Sequence, residues 1–246
     1  MRPLTIIFDL DDTLYLERDY VRSGFAAVGD WLEQETGVGG FSASCQRLFD
    51  AGRRSRIFQK ALVLHSIDPD PTLVELLIGV YRSHSPAINL APDAARYLET
   101  RRRTSLPSGL ITDGPCGTQQ RKVHALGIAE QLDLLVYTDA LAPGCGKPHP
   151  RAFEVTEAWA APTGLPLAYV ADNPTKDFLT PRQRGWLSVQ VARPERVHLA
   201  RAPNAAYEAQ ATISSLDELE PCLQRLQSQQ QPAEARRDAA RSDAFA

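Results

Sequence analysis

The sequence predicts an α/β protein: a doubly wound parallel sheet, interrupted after its first strand by a block of helices. Three observations carry this. A short apolar run, LTIIF at residues 4–8, reads as a buried strand and ends in acidic residues. From about Leu16 to Asn89 the pattern is helical and carries no strand signal. From Asn89 to about residue 220, strand and helix patterns alternate, as they do in βαβ units with right-handed crossovers.

The elements follow in order. The first strand is short and β-branched, and polar turn residues follow it. In DYVRSGFAAVGDWLEQETG, the residues Val21, Phe25, Val28 and Leu32 recur at three-to-four spacing. That is a helical stripe, and Gly37 is placed to stop it. SASCQRLFDAGRRSRIFQKALVLHSI and DPTLVELLIGVYRSHSP continue the helical block. The expected division is therefore a core from residues 1–15 and 89–222, with a helical insertion at 16–88. In the core, APDAARYLETRRR reads as helix, PSGLITDG as strand and CGTQQRKVHALGI as helix. LDLLVYTD, PLAYVADN and WLSVQVA read as strands, separated by the helical HPRAFEVTEAWAA and TKDFLTPRQRG. TISSLDELEPCLQRLQ adds a weak strand and a last helix. Residues 227–246 are polar and rich in Gln, Ala and Arg, with few apolar anchors, and are expected to be disordered.

Composition narrows the function. The chain has 246 residues, 43% hydrophobic and 23% charged, enough for a large core with an insertion. A net charge of −3 gives no reason to expect a nucleic-acid polymer or a membrane as partner. An anionic ligand must be held by a local site. Cys45, Cys116, Cys145 and Cys222 are scattered, with no CxxC or zinc spacing, as for reduced thiols. The apolar run at the N-terminus is too short for a signal peptide, and no run approaches the roughly 18 apolar residues of a membrane span. A cytoplasmic monomer or homodimer is expected.

The chemistry gathers at strand ends. IIFDLDDTLYL places Asp9, Asp11 and Asp12 within four residues. Like charges so close repel, and desolvation worsens it. Further along stand Thr112-Asp113-Gly114, then Gly146-Lys147-Pro148, then Asp172 with Asp177 five residues on. In a parallel sheet these strand ends share one edge. A divalent cation would neutralise the acids, and hard oxygen ligands favour Mg²⁺. Asp9, Asp11, Asp172 and Asp177 are the candidate ligands. Asp9 and Asp11, two apart on an extended chain, would point the same way. One can attack while the other handles protons, and attack on phosphorus would give an aspartyl-phosphate. Thr112 and Lys147 suit phosphoryl oxygens. Asp113 reads first as a turn residue and second as a member of that phosphate-binding group. Asp177 can ligate the metal or orient Lys147.

Blander roles fall to other residues. Asp12 reads as a turn or cap acid. Arg101–Arg103 read as a solvated helix end, and Arg53–Arg56 as a solvated face. His65, His84, His124 and His198 lack metal-ligand spacing and read as structural. A Walker B strand would need GxxxxGK[ST] elsewhere, and the Gly146-Lys147 pair is followed by Pro148.

Together the motifs resemble the haloacid dehalogenase superfamily, most of whose members are Mg²⁺-dependent phosphatases with a Rossmann-like core. FDLDDTL is similar to its nucleophile motif, LITDG to its second, GKPHP to its lysine motif and VADNPTKD to its acidic fourth. The resemblance spans about residues 3–220. It implies that Asp9 is the nucleophile and a Mg²⁺ ligand. It implies that Asp11 is the general acid and base and offers its main-chain carbonyl to the metal. Thr112 and Lys147 would bind phosphate, and Asp172 would bind the metal. The helical insertion would be a mobile cap. Ala171 stands where Gly often precedes the acid, and His149 replaces a common Asp. By the same resemblance, members that cleave carbon–halogen bonds lack an acid two residues after the nucleophile. Asp11 therefore favours phosphate esters, whose leaving group needs a proton. The expected substrate is a small phosphorylated metabolite, a nucleotide or a sugar phosphate. A phosphomutase or a non-catalytic binding protein remain the alternatives.

Overall fold

The computed structural model describes residues 2–229. Six strands form one sheet: β1 (Thr5–Phe8), β2 (Ser108–Thr112), β3 (Leu134–Tyr137), β4 (Leu167–Ala171), β5 (Leu187–Val191) and β6 (Ala211–Ile213). Their order is β3-β2-β1-β4-β5-β6, and every pair is parallel. β1 and β2 are buried at every position. A parallel sheet is covered on both faces, so its central strands are apolar runs rather than alternating ones. The chain lays β2 and β3 to one side of β1, then returns to lay β4, β5 and β6 on the other. This puts a topological switch point between β1 and β4, where open α/β sheets bind their ligands. Phe8 pairs with Val170, so Asp9 and Asp172 leave adjacent strands within one residue of register.

Eight helices have both ends within the described residues: α1 (Glu17–Thr36), α2 (Phe41–Asp50), α3 (Ile57–Leu64), α4 (Pro71–Ser83), α5 (Pro92–Arg103), α6 (Cys116–Ala125), α7 (Arg151–Ala160) and α8 (Leu179–Gln183). A further helix, α9, runs over 219–229. Residues 227–229 are thus helical, against the expectation of a disordered tail from 227. The rest of that expectation lies outside the described residues.

The chain forms two compact units. One comprises Met1–Leu16, Leu90–Cys116 and the chain from Ile128 onward, the other Glu17–Asn89 and Gly117–Gly127. The segment Glu17–Asn89 carries α1 to α4. α6 departs from expectation. It lies between β2 and β3 in sequence but belongs to the helical unit, because its side chains find partners there. Thr118 Oγ1 donates to the Arg82 carbonyl, and Lys122 Nζ lies 4.3 Å over the Tyr20 ring.

In the helical unit, α1 buries Val21, Phe25, Val28 and Leu32, the stripe its spacing predicted. Phe25 meets the rings of Phe49, Phe58 and Tyr81. Gly24 is required there, since a Cβ would collide with the Tyr81 ring. α1 ends before Gly37, whose φ of 72° suits a residue without a Cβ. Asp70 caps α4 by accepting from Thr72 N and Leu73 N, with Pro71 in the first turn. The Arg53–Arg56 run is exposed.

In the sheet unit, Ile7, Ile111, Val136, Phe153, Tyr169, Phe178 and Trp186 form a core cluster. Arg101 corrects its solvated reading. It is 4% exposed and donates to the carbonyls of Leu4 and Pro107 and to Ser108 Oγ. Those carbonyls sit just before β1 and β2, and the Pro107 carbonyl also accepts from Ile6 N. Arg102 and Arg103 do pair with Glu99 at the surface. All four cysteines are free. Among the described residues no helix is long and apolar enough to cross a membrane.

A second buried cation ties the sheet's far side together. Arg193 donates to Asp93 Oδ2 at 3.0 Å and to the Thr13 carbonyl. Asp93 also accepts from Ser215 Oγ and Leu216 N. Replacing Asp93 by Ala strands the Arg193 charge. Urea unfolding of Asp93→Ala is expected to show a loss of about 3–5 kcal/mol. A loss below about 1 kcal/mol would mean the pair holds nothing together.

Candidate active site

The three acids that follow β1 go to three different places. The strand stops at Phe8, and the chain turns: Leu10 O accepts from both Thr13 N and Leu14 N. Asp12 has a φ of 52°, a conformation Asp tolerates better than most residues. Asp9 and Asp11 take different partners, although the Asp11 charge still acts on Asp9. Asp9 faces the switch point and is 5% exposed. Asp11 turns its carboxylate to the hydroxyl of Tyr15, which donates to Oδ1. Asp12 accepts from Val197 N at 2.6 Å, so its turn role also anchors the loop after β5.

Asp9 meets the acids that follow β4. Asp9, Asp172 and Asp177 each place a carboxylate oxygen within 4.8 Å of the others, and all three are buried. The loop after β4 is a compact turn. Asn173 O accepts from Lys176 N and Asp177 N, and Asp177 Oδ2 accepts from Asn173 N at 2.9 Å. Lys147 Nζ sits against this cluster: 2.5 Å from Asp9 Oδ1, 2.8 Å from Asp177 Oδ1 and 3.0 Å from the Tyr169 hydroxyl. Its side chain is fully enclosed. Asp177 thus does orient Lys147, and it also lies in the acidic cluster.

One buried amine does not neutralise three buried carboxylates. Burial pushes Asp9 up to about 7; Lys147 opposes this while Asp177 adds to it. Burial pushes Asp172 up to about 10, with Asp9 and Asp177 repelling its charge. Burial disfavours the Lys147 charge as well, but Asp177, Asp9, Tyr169 and Asp113 outweigh it and hold the amine well above its ordinary value. Asp172 Oδ2 is buried with no hydrogen-bond partner. A buried acceptor left unpaired is costly. A hard divalent cation would supply what it lacks, and the all-oxygen donor set of Asp9, Asp172 and Asp177 fits Mg²⁺. The Asp11 side chain is not one of these three, although its charge acts on Asp9.

Thr112 ends β2 and is 1% exposed, at the same sheet edge. Asp113 does not fit the phosphate-binding role. Its Oδ1 accepts from Thr138 Oγ1 and Lys147 N, and its Oδ2 takes Lys176 Nζ at 2.8 Å. Burial raises its pKa, but Lys147 and Lys176 outweigh that and hold it below the ordinary carboxylate range. A charged carboxylate only accepts hydrogen bonds, so Asp113 repels a phosphate and instead positions the two lysines.

Residue patterns missed several members of the site. Tyr169 reads as core in an apolar strand, and it is core, yet its hydroxyl reaches Lys147. Tyr15, which donates to Asp11, and Thr138, which donates to Asp113, carry no motif that marks them. Lys176 lies inside the fourth acidic motif, between Asp172 and Asp177. Of the other singled-out residues, His149 accepts from Arg151 N at the start of α7. His65 pairs with Ser44, and His84 with Tyr81 O and Ser23. His124 is exposed and lies in the helical unit, not the core.

Four motifs met at one edge of a parallel sheet, with a helical insertion after the first, define a hydrolase of the haloacid dehalogenase type. The model of haloacid dehalogenase-like hydrolases matches residues 4–177, and the chain belongs to that family. It is 31% identical over 140 residues to the phosphoserine phosphatase of Thermus thermophilus, a match covering 57% of this chain and 55% of that enzyme. The chain thus spans about half the length of that relative. It is 24% identical over 236 residues to the glyceraldehyde 3-phosphate phosphatase of Methanocaldococcus jannaschii, covering 87% and 94%. Among solved structures, a 2-haloacid dehalogenase from Pseudomonas syringae matches with a TM-score of 0.59 at 25% identity, covering 91% of this chain and 99% of that one. A magnesium-bound HAD-hydrolase from Bacillus subtilis shares the fold, with a TM-score of 0.59 at 17% identity, covering 91% and 100%.

The raised acids set a pH dependence. Asp9 and Asp172 keep protons in the folded state that an unfolded chain releases above about 4. More protons bound when folded means that stability falls as pH rises. In chelator, thermal stability is therefore expected to fall steadily between about pH 5 and pH 9. Mg²⁺ favours the charged acids, so its stabilisation should grow with pH, reaching about 2.7 kcal/mol at a hundredfold excess over its Kd. Asp172→Asn should flatten the decline and lose the Mg²⁺ effect. Stability rising with pH in chelator would contradict this charge arrangement.

Proposed function

We propose that this hydrolase cleaves a phosphate monoester of a small soluble metabolite, with Mg²⁺, through an aspartyl-phosphate on Asp9. The observation that carries the reading is the separation of Asp9 from Asp11. Asp9 lies in the acidic cluster, gripped by Lys147. Asp11 lies outside it, partly exposed and held by Tyr15. Two carboxyls in different environments suit two tasks.

An Asp9 carboxylate oxygen bonds to phosphorus as the ester P–O bond breaks, and Asp11 gives its proton to the leaving oxygen. Water then attacks phosphorus, and Asp11 takes a proton from it. The bond from phosphorus to Asp9 breaks and inorganic phosphate leaves. Lys147 orients Asp9 through Oδ1, and Thr112 can donate its hydroxyl to a phosphoryl oxygen. Asp9, Asp172 and Asp177 would hold Mg²⁺, which would supply positive charge to balance the acids and the phosphoryl group.

Halide departure needs no proton, so carbon–halogen cleavage would leave Asp11 without a task. The two curated relatives, both named as phosphatases of small phosphorylated metabolites, support the same choice. Nucleotides and sugar phosphates both fit the reading.

Two expectations follow. Asp9→Asn should lower hydrolysis of an aryl phosphate by at least about a thousandfold, as should chelation of wild type. Normal turnover by a clean preparation of that variant would sink the mechanism. Asp11→Asn should lose about 10²–10⁴-fold on an alkyl phosphate and far less on an aryl phosphate, whose leaving group needs little protonation. Equal losses would argue that Asp11 moves no proton.

A further inference from the structure

We propose that Lys176 is a second phosphate-binding residue of this site, its ammonium held by Asp113 beside the enclosed Lys147 and donating to a peripheral phosphoryl oxygen. This rests on the phosphatase reading above and adds a residue to it.

The inference starts from what each lysine has free. An ammonium has three donors and no acceptor. Lys147 has three oxygens within 3.0 Å, from Asp9, Tyr169 and Asp177. Its side chain has no exposed surface. Enclosed among those oxygens, its ammonium presents no open side to a phosphoryl oxygen. Lys176 differs on both counts. Its side chain is 33% exposed, and its ammonium is held at 2.8 Å by Asp113 Oδ2. Among the described residues that is its side-chain partner, and two donors remain.

Its position is fixed from both ends. The backbone of Lys176 lies in the turn that Asn173 closes, where Asn173 Oδ1 also accepts from Thr175 N and Oγ1. At the other end, Asp113 is itself anchored, with Oδ1 taken by Thr138 Oγ1 and Lys147 N. A flexible surface lysine loses rotamer entropy on binding. Lys176 has already been ordered, which favours its use as a binding group.

Charge balance points the same way. Asp9, Asp113, Asp172 and Asp177 face Lys147 and Lys176. Asp11 and Asp12 add negative charge around the same cluster, so the acids outnumber the two ammoniums. Without Lys176 the site would be more negative still and would repel a phosphate more strongly. Lys147 serves the nucleophile, so Lys176 is the cation left to face the substrate.

The test uses the full chain with Mg²⁺ and two probes: inorganic phosphate, bound in a calorimeter, and an aryl phosphate, hydrolysed. Lys176→Met removes the charge. Lys176→Gln removes it too but keeps an N–H for Asp113, so the site stays testable if the Met variant fails to fold. Lys176→Arg keeps both. Both neutral variants should bind phosphate roughly tenfold or more weakly and raise KM by a similar factor. Arg should restore binding to within about threefold. Wild-type phosphate affinity in a folded neutral variant would make Lys176 no more than the counter-ion of Asp113 and would overturn the proposal. A fall in kcat with Kd and KM unchanged would also overturn it, since Lys176 would then act only through its neighbours. Wild type that neither binds phosphate nor hydrolyses the ester would bring down the phosphatase reading itself, and this proposal with it.

Discussion

The arrangement depends on one buried ammonium. Lys147 Nζ, fully enclosed, is shared by Asp9, Asp177 and Tyr169 at 2.5–3.0 Å. Three carboxylates within 4.8 Å of one another in a buried site would otherwise neutralise themselves by taking up protons. The lysine keeps part of that charge in place but not all of it. The excess is left on Asp172, with an oxygen that no protein group satisfies, and a cation there would relieve the repulsion.

The sheet makes this cluster possible. Strand order puts β1 and β4 side by side, so two acids distant in sequence leave the sheet together. The lysine then arrives on a loop pinned from two directions. Asp113 accepts from its backbone N–H, and Thr180 Oγ1 donates to the Pro148 carbonyl just after it. Tyr169 serves twice, packing its ring edge-on against Phe153 and offering its hydroxyl to Lys147. Core packing and site geometry are here one constraint. A change that shifts β4 against α7 also moves the partner of the lysine.

The stretch after β1 shows how a local turn assigns chemistry. The turn around Leu10 and the left-handed Asp12 send three adjacent acids to the metal-ready cluster, to Tyr15 and to the Val197 backbone. Each acid thereby acquires its own electrostatic surroundings. The same logic sorts the cations. Arg101 and Arg193 are buried to satisfy backbone carbonyls and Asp93, while Lys147 and Lys176 are gathered around the acids. A basic residue's role follows from which acceptors it can reach, and one-dimensional spacing does not reveal that.

Much of this was legible in the chain. The apolar run before Asp9, the helical stripe of α1 and the later alternation of strands and helices determined the fold, because periodicity of burial is a local property. The four motifs determined the family and marked Asp9, Lys147, Asp172 and Asp177, because a parallel sheet brings strand ends to one edge whatever the details. Only the tertiary structure decided the rest. It decided that α6 joins the helical unit, that Arg101 is buried, that Asp113 holds lysines rather than phosphate, and that Tyr15, Tyr169 and Lys176 stand at the site. Each of these depends on contacts between residues far apart in sequence or on a turn's dihedral angles. Neither is encoded in the identity or spacing of single residues, so they emerge only when the chain is packed.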